Sequence, residues 1–88
     1  MPVIQVEFYG VPKLKAGIAS TQVEANTVAE LLEQLKQVVP SFADACLKDD
    51  QLATDYLLNI NGKSFTRDAS TQLSAGDHVL ILSADVGG

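Results

Sequence analysis

Gly87 and Gly88 close the 88-residue chain, and their type and position suit chemistry on a main-chain carboxylate. Glycine has no Cβ, so its backbone can enter a narrow channel and adopt φ angles that other residues avoid. A terminal glycine also leaves its carboxylate unshielded, which suits adenylation at the α-phosphate of ATP followed by attack of a sulfur nucleophile. The alternative is an ordinary frayed end, because chain termini are often disordered.

The residues before this pair form a thin polar segment behind an apolar run. The run includes Leu80, Ile81 and Leu82 and stops at Ser83, after which Ala84 begins the final stretch. Five or six extended residues span about 3.3–3.6 Å each, so such a tail reaches about 20 Å. The sequence therefore predicts a folded domain over residues 1–83 and a flexible tail over residues 84–88.

The sequence shows little evidence of a metal site, a reactive cysteine or a catalytic motif. His78 is the only histidine and lacks the neighbouring ligands of a metal site. Cys46 could relay sulfur, but a lone cysteine is more often a small buried apolar residue. Asp49, Asp50 and Asp55 read as a solvated acidic region, and no phosphate-binding loop, nucleophile elbow or zinc motif is present. We expect no metal, no bound cofactor and no enzymatic activity from the chain alone.

Composition points to a single folded domain and narrows the classes of partner. Hydrophobic residues make up 47% of the chain, which is enough for one core. The formal net charge of −5 and the scattered lysines and arginine argue against nucleic acid and favour a basic patch on a protein partner. No signal peptide or membrane-spanning run is visible, and one cysteine precludes an internal disulfide. We expect a cytoplasmic protein that does not bind membranes.

The first half of the chain predicts two strands and then helices. Strands are expected at residues 3–9 and 20–25, with a loop at 10–17 that contains Pro12. Thr27 and Glu30 have capping-box spacing, and Pro40 should stop the helix that follows. A shorter helix over residues 41–48 would start from a second box formed by Ser41 and Asp44. The long helix carries one apolar stripe: Val28, Leu31, Leu32, Leu35 and Val39.

The second half predicts three strands separated by turns. After a polar loop at 48–51, strands are expected at residues 56–60, 64–66 and 78–83. Asn61-Gly62 is a typical tight-turn pair, and residues 73–77 form another turn. A helix with one apolar stripe must cover one face of the sheet, so the sequence predicts an α+β, ubiquitin-like β-grasp fold with a mixed sheet of four or five strands. Val79 and Ile81 should face the helix, which leaves Leu80 and Leu82 outward as an interface.

These residues resemble the ubiquitin-like sulfur carriers (MoaD- and ThiS-like proteins), most closely the small subunit of molybdopterin synthase. Four segments and the terminal Gly-Gly carry the resemblance in their order and spacing. No single segment is specific, and residues 40–55 match loosely. The four segments are the opening strand and loop at residues 6–17, the helix start Thr27-Val28-Ala29-Glu30-Leu31-Leu32, the turn Asn59-Ile60-Asn61-Gly62, and the turn Leu73-Ser74-Ala75-Gly76-Asp77-His78-Val79.

The resemblance implies a carrier that works with two partner proteins. An adenylating enzyme of the ubiquitin-activating type would use ATP to activate the Gly88 carboxylate, which then becomes a thiocarboxylate. A larger catalytic subunit, such as that of molybdopterin synthase, would receive the tail and pass the sulfur to a cofactor precursor. Gly87 would give access to the narrow site. The other partner-binding residues would be Val86, Asp85, Leu80, Leu82 and Phe8, with framing of the core as the alternative for the last three.

The tail departs from the family pattern at Asp85. Family tails often carry prolines before the final glycines, whereas this chain has Ser83-Ala84-Asp85-Val86. Asp85 places a negative charge near the site of ATP unless a basic partner residue meets it. The acceptor therefore stays open between molybdopterin, thiamine thiazole and cysteine synthesis, and between these and conjugation to lysines. A β-grasp interaction module with an incidental tail is the alternative from another class.

Overall fold

The computed structural model describes residues 2–84. The chain order is strand, short helix, strand, two helices and five further strands. Their bounds are β1 Val3–Phe8, α1 Val11–Ala16, β2 Ser20–Glu24, α2 Val28–Val38, α3 Pro40–Cys46, β3 Leu47–Lys48, β4 Gln51–Leu52, β5 Tyr56–Ile60, β6 Ser64–Thr66 and β7 His78–Ser83.

Five of the strands form one mixed sheet in the order β2-β1-β7-β5-β6. β1 and β7 are parallel, with Val6 opposite Val79, and the other pairs are antiparallel. The last strand of the described chain therefore lies in the middle of the sheet, between the first strand and β5. This is the β-grasp arrangement that the sequence predicts. No helix within residues 2–84 is long and apolar enough to cross a membrane.

The helix α2 starts and stops where its sequence predicts. The Thr27 hydroxyl oxygen accepts the Glu30 amide hydrogen at 3.2 Å. Glu30 Oε1 accepts an amide hydrogen in return at 2.6 Å, but from Asn26 rather than from Thr27. Both bonds satisfy donors that have no partner inside the helix.

The core lies between α2, α3 and one face of the sheet. Alternate strand residues point inward, because successive side chains in a strand face opposite sides. Phe8 contacts Phe42 with ring centroids 5.2 Å apart at an interplanar angle of 50°. The fully buried large residues include Phe8, Phe42, Ile4, Leu31, Leu35, Leu58, Ile81, Val6, Val28 and Val79.

Three local predictions are wrong. Residues 11–16 are the helix α1 rather than a loop, because Pro12 occupies its first turn, where an amide hydrogen has no helical partner. Ser41 does not cap α3; its hydroxyl donates to the Ala16 carbonyl oxygen at 3.3 Å, which ties the two helices together. The polar stretch 48–51 is not a loop but a tight hairpin of β3 and β4, with Asp49 and Asp50 both at positive φ.

The turn that follows β5 is confirmed. Asn61 and Gly62 have φ of 57° and 70°, angles that Asn and Gly adopt more readily than other residues. The Lys63 amide donates to the Ile60 carbonyl oxygen at 3.0 Å, and β6 then pairs with β5 as an edge strand. β5 is thus held between β6 and the central strand β7.

Candidate functional site

Four of the predicted site residues, Gly88, Gly87, Val86 and Asp85, lie outside the described residues. The structure instead shows where the chain leads towards them. β7 ends at Ser83, which is 8% exposed. The next amide, that of Ala84, donates to the Asp55 carbonyl oxygen at 2.8 Å. Ala84, predicted as the start of the tail, is therefore still bonded to the domain.

A shallow depression of about 460 Å³ surrounds this exit point. It lies between the start of α1, the turn before β5 and the end of β7. That turn is closed by the Tyr56 amide, which donates to the Ala53 carbonyl oxygen at 3.0 Å. The lining residues are Val11, Thr54, Asp55, Tyr56, Ser83 and Ala84.

Arg67 contacts the same turn, a role that reading the sequence missed. Its guanidinium Nη2 donates to the Thr54 carbonyl oxygen at 2.9 Å and to the Tyr56 carbonyl oxygen at 2.5 Å. No motif marks this arginine. The only sequence signal is that a cation follows the short predicted strand at 64–66, and its target lies eleven to thirteen residues earlier in the chain.

The outward placement of Leu80 and Leu82 is confirmed. Val79 and Ile81 are fully buried against the core, whereas the two leucines are half-buried on the opposite face. Leu82 lies opposite Leu57 on β5. Leu57 and Phe65, which is 65% exposed opposite Asn59 on β5, add to the apolar surface of the two leucines on the solvent face of the sheet.

A groove of about 560 Å³ runs beside Leu80 on this face. His78 Nε2 lies 3.0 Å from Glu7 Oε1 on the neighbouring strand, and both side chains are about half exposed. Tyr9, 53% exposed, lines the same groove. The groove therefore combines an apolar wall with a carboxylate. His78 is the first residue of the predicted strand β7, and its ring is hydrogen-bonded to the Glu7 carboxylate.

The structure corrects the docking role expected for Phe8. Its side chain is 2% exposed and packs on Phe42, so it frames the core and offers no surface to a partner. The alternation along β1 places Phe8 on the same face as Ile4 and Val6, and the packing of that face against α3 makes it the core face.

Cys46 is a buried core residue, as the sequence favoured, and not a sulfur relay. Its side chain is fully buried, and burial raises the pKa of the thiol above the ordinary 9.0, opposed by a hydrogen bond with Tyr56. A neutral, enclosed thiol is a poor nucleophile. Among residues 2–84, no group of three or more histidine, cysteine, aspartate or glutamate side chains could hold a metal ion.

Solved structures share this fold along nearly the whole chain. SAMP1 from Haloferax volcanii superposes with a TM-score of 0.81 at 20% identity, covering 98% of this chain and 99% of that one. A chain in the BexX/CysO complex from Amycolatopsis orientalis gives 0.78 at 19% identity, with coverage of 97% and 99%. A Pyrococcus furiosus protein described as subunit 1 of a molybdopterin converting factor gives 0.70 at 20% identity, with coverage of 94% and 98%. At these identities the likeness establishes the fold.

Family membership comes from the sequence comparison. No curated protein matches the chain at a significant level. The model of the ThiS family, however, matches residues 6–88, from the second half of β1 through β7 to the terminal glycines. The expected resemblance to ubiquitin-like sulfur carriers is thereby confirmed. The chain belongs to the ThiS family, among the ubiquitin-like sulfur carriers and modifiers.

Proposed function

We propose that this protein is a cytoplasmic sulfur carrier whose Gly88 carboxylate is adenylated and converted to a thiocarboxylate. The observation that carries the proposal is the match of the family model through Gly88. Small carriers of this kind are generally not enzymes themselves, so the chemistry is assigned to partner proteins that act on the tail.

The placement of β7 supports a tail that is presented from a rigid base. β7 is paired on both sides, to β1 and to β5, and its inward residues Val79 and Ile81 are fully buried. A strand held in this way fixes the position of Ser83, its last residue, relative to the rest of the domain. The chain beyond it then has a defined starting point from which to enter a partner's active site.

The proposed chemistry occurs at the terminal carboxyl carbon. The carboxylate oxygen attacks the α-phosphorus of ATP and releases pyrophosphate, which gives an acyl adenylate on Gly88. A hydrosulfide equivalent then attacks the acyl carbon and displaces AMP, which leaves the thiocarboxylate. Transfer of that sulfur and hydrolysis by water restore the carboxylate. Gly87 keeps the adjacent backbone narrow throughout.

The adenylating enzyme, of the ubiquitin-activating type, is proposed to dock on the solvent face of the sheet. Leu80 and Leu82 would supply the apolar contact, and the groove beside them presents the Glu7 carboxylate. Because the chain carries a net charge of −5, we expect basic residues on the partner around an apolar centre. One of those basic residues would face Asp85, which otherwise repels the ATP phosphates.

We propose the large subunit of a molybdopterin synthase as the second partner and a molybdopterin precursor as the sulfur acceptor. The support is the order of the four family-like segments along the chain and the fold shared with the Pyrococcus furiosus protein. Val86 and Asp85, in place of the prolines typical of such tails, would then contact the entrance of that subunit's active site.

Intact mass spectrometry of the native protein from its own cell tests the proposal. We expect a population in which one sulfur replaces one oxygen, localised to Gly88 by fragmentation. A carboxylate that stays unmodified after incubation with ATP, a sulfur source and the host's activating enzyme would refute the carrier function. Higher-mass conjugates on lysines would keep the activation step and change the acceptor to proteins.

The acceptor is tested separately by reconstitution with the host's molybdopterin synthase large subunit. Two equivalents of the loaded protein per precursor should yield molybdopterin, because each Gly88 thiocarboxylate delivers one sulfur and the product dithiolene contains two; the unloaded protein should yield none. Loading without transfer to this precursor would redirect the search to thiazole or cysteine synthesis.

A further inference from the structure

We infer that Arg67 is a positioning residue for the C-terminal tail, because it braces the turn to which Ala84 is bonded. The expected effect of Arg67 on adenylation rests on the proposed function, whereas its expected effect on the Ala84 hydrogen bond does not.

Arg67 can bond the carbonyl oxygens of Thr54 and Tyr56 because β6 is shorter than β5. Their pairing ends at Leu58 and Thr66, so the start of β5 has no strand on that side within residues 2–84. The carbonyl oxygens of Tyr56 and Thr54 point there and accept hydrogen bonds from Arg67 instead. One guanidinium with donors in a fixed planar fork can serve two acceptors in this way.

The opposite edge of the same turn binds the chain that leads to the tail. The backbone carbonyl oxygen of Asp55, which lies between Thr54 and Tyr56, accepts the Ala84 amide hydrogen at 2.8 Å. Ala84 is itself exposed, so no burial of its own side chain holds it in place. Beyond Ser83, Ala84 is therefore held by its bond to Asp55, and Arg67 holds the residues on either side of Asp55.

The loop that carries Arg67 is fixed by its own hydrogen bonds. Thr66 Oγ1 accepts the Asp68 amide at 3.0 Å. Asp68 Oδ1 accepts the Ser70 amide at 2.9 Å and the Ser70 hydroxyl at 2.7 Å. The arginine thus extends from an ordered backbone, which lowers the entropy lost when its long side chain is held.

Without Arg67, Ala84 should be released from Asp55 more often. When Ala84 is released, each additional free residue extends the reach by about 3.3–3.6 Å and must be ordered again when the tail enters a partner. Ordering one more residue corresponds to about a five- to thirtyfold weaker productive binding. The KM for this protein in the adenylation reaction should rise by that factor in Arg67→Ala, and kcat should stay near the wild-type value.

Hydrogen exchange measured by NMR on the full chain tests the structural part. Exchange of the Ala84 amide should be faster in Arg67→Ala than in wild type. The Asn61 amide, which donates to the His78 carbonyl oxygen at the other end of the β5–β7 pair, should be unchanged. Arg67→Lys should restore part of the protection, because an ammonium can donate to a carbonyl oxygen but lacks the planar fork.

Lys63→Ala is the matched control for removal of one exposed cation from the same hairpin. An unchanged exchange rate of the Ala84 amide in Arg67→Ala would overturn the inference. Equal acceleration at Ala84 and Asn61 would also overturn it, because it would show a loss of global stability. If the wild-type protein accepts no sulfur at all, the proposed function fails, and the exchange data still decide the role of Arg67.

Discussion

Leu80 lies at the centre of the solvent face of the sheet, opposite Glu7 on β1 and Asn59 on β5. A leucine that is only half-buried leaves apolar surface that a partner can cover. We expect Leu80→Ser to raise the KM for adenylation about five- to thirtyfold, which corresponds to 1–2 kcal/mol of lost binding. The free energy of unfolding should fall by about 1 kcal/mol or less.

The control for this prediction is Gln22→Ser. Gln22 is exposed on the edge strand β2, opposite Gln5, and lies on the same face of the sheet but away from the groove. Adenylation kinetics on purified variants provide the comparison. Equal KM values for the two variants would show that the partner does not use Leu80.

Cys46 makes the stability of the protein depend on pH in the alkaline range. Its pKa is raised by burial, so above pH 9.0 the unfolded chain loses the thiol proton before the folded chain does. The contribution of the protonated Cys46 thiol to the free energy of unfolding is therefore fully present below pH 9.0. It is lost as the pH rises towards the folded-state pKa. Tyr56, whose pKa is raised mainly by burial from 10.0, adds a loss of the same sign at higher pH.

The measurement is the urea midpoint of unfolding at neutral pH and above pH 9.0. We expect the midpoint of the wild type to fall over this interval and that of Cys46→Ala to fall less, whatever its absolute stability. Parallel losses in the two proteins would mean that Cys46 does not contribute to the alkaline transition.

At the scale of secondary-structure elements, the helix α2 keeps in the folded protein the N-terminal cap that its sequence predicts. The Thr27 hydroxyl caps α2 at Glu30, and the Glu30 carboxylate bonds Asn26 in return. Thr27→Ala removes the cap acceptor and should cost about 1 kcal/mol of unfolding free energy. The expected decrease in Tm is about 4–8 °C for a domain of this size.

Thr27→Ser, which keeps the hydroxyl, is the control for the cap and should stay close to wild type. Both variants retain the backbone bridge between Thr27 and Gln72. Thermal unfolding followed by circular dichroism distinguishes them. Equal melting temperatures for the alanine and serine variants would show that the cap contributes nothing.

At the scale of the whole molecule, the first and last strands of the described chain pair in parallel at the centre of the sheet. The strand pairs that the structure describes lie within residues 3–83, and we expect removal of Gly87 and Gly88 to leave the unfolding free energy unchanged. The same deletion should abolish sulfur loading, because it removes the carboxylate at the position where the partner reacts.

Mass spectrometry after loading and urea unfolding test the two halves of this prediction on one sample. Gly87→Ala is the matched variant: it retains the length and the terminal Gly88, and it should load more slowly because a Cβ narrows the clearance in the channel. Full biological activity of the deletion variant would favour an interaction module that works through the sheet face alone.

The sequence by itself determined the helices, strands and turns that depend on residues close together in the chain. The alternation in β1 and β7, the stripe and cap of α2 and the Asn61-Gly62 turn all act within a few residues, and together they predict the β-grasp fold. They also assign Leu80 to the outer face, since alternate residues of a strand face opposite sides. The chemistry expected at Gly88 likewise came from the sequence.

Only the tertiary structure decided the features that depend on distant residues. Arg67 reaches carbonyl groups at the turn before β5, Glu7 contacts His78 from 71 positions away, and Ser41 bonds Ala16 instead of capping its own helix. Phe8 is committed to the core by its contact with Phe42 on α3. Such contacts follow from how the sheet and helices pack, and no periodicity within a short window encodes which side chains that packing brings together.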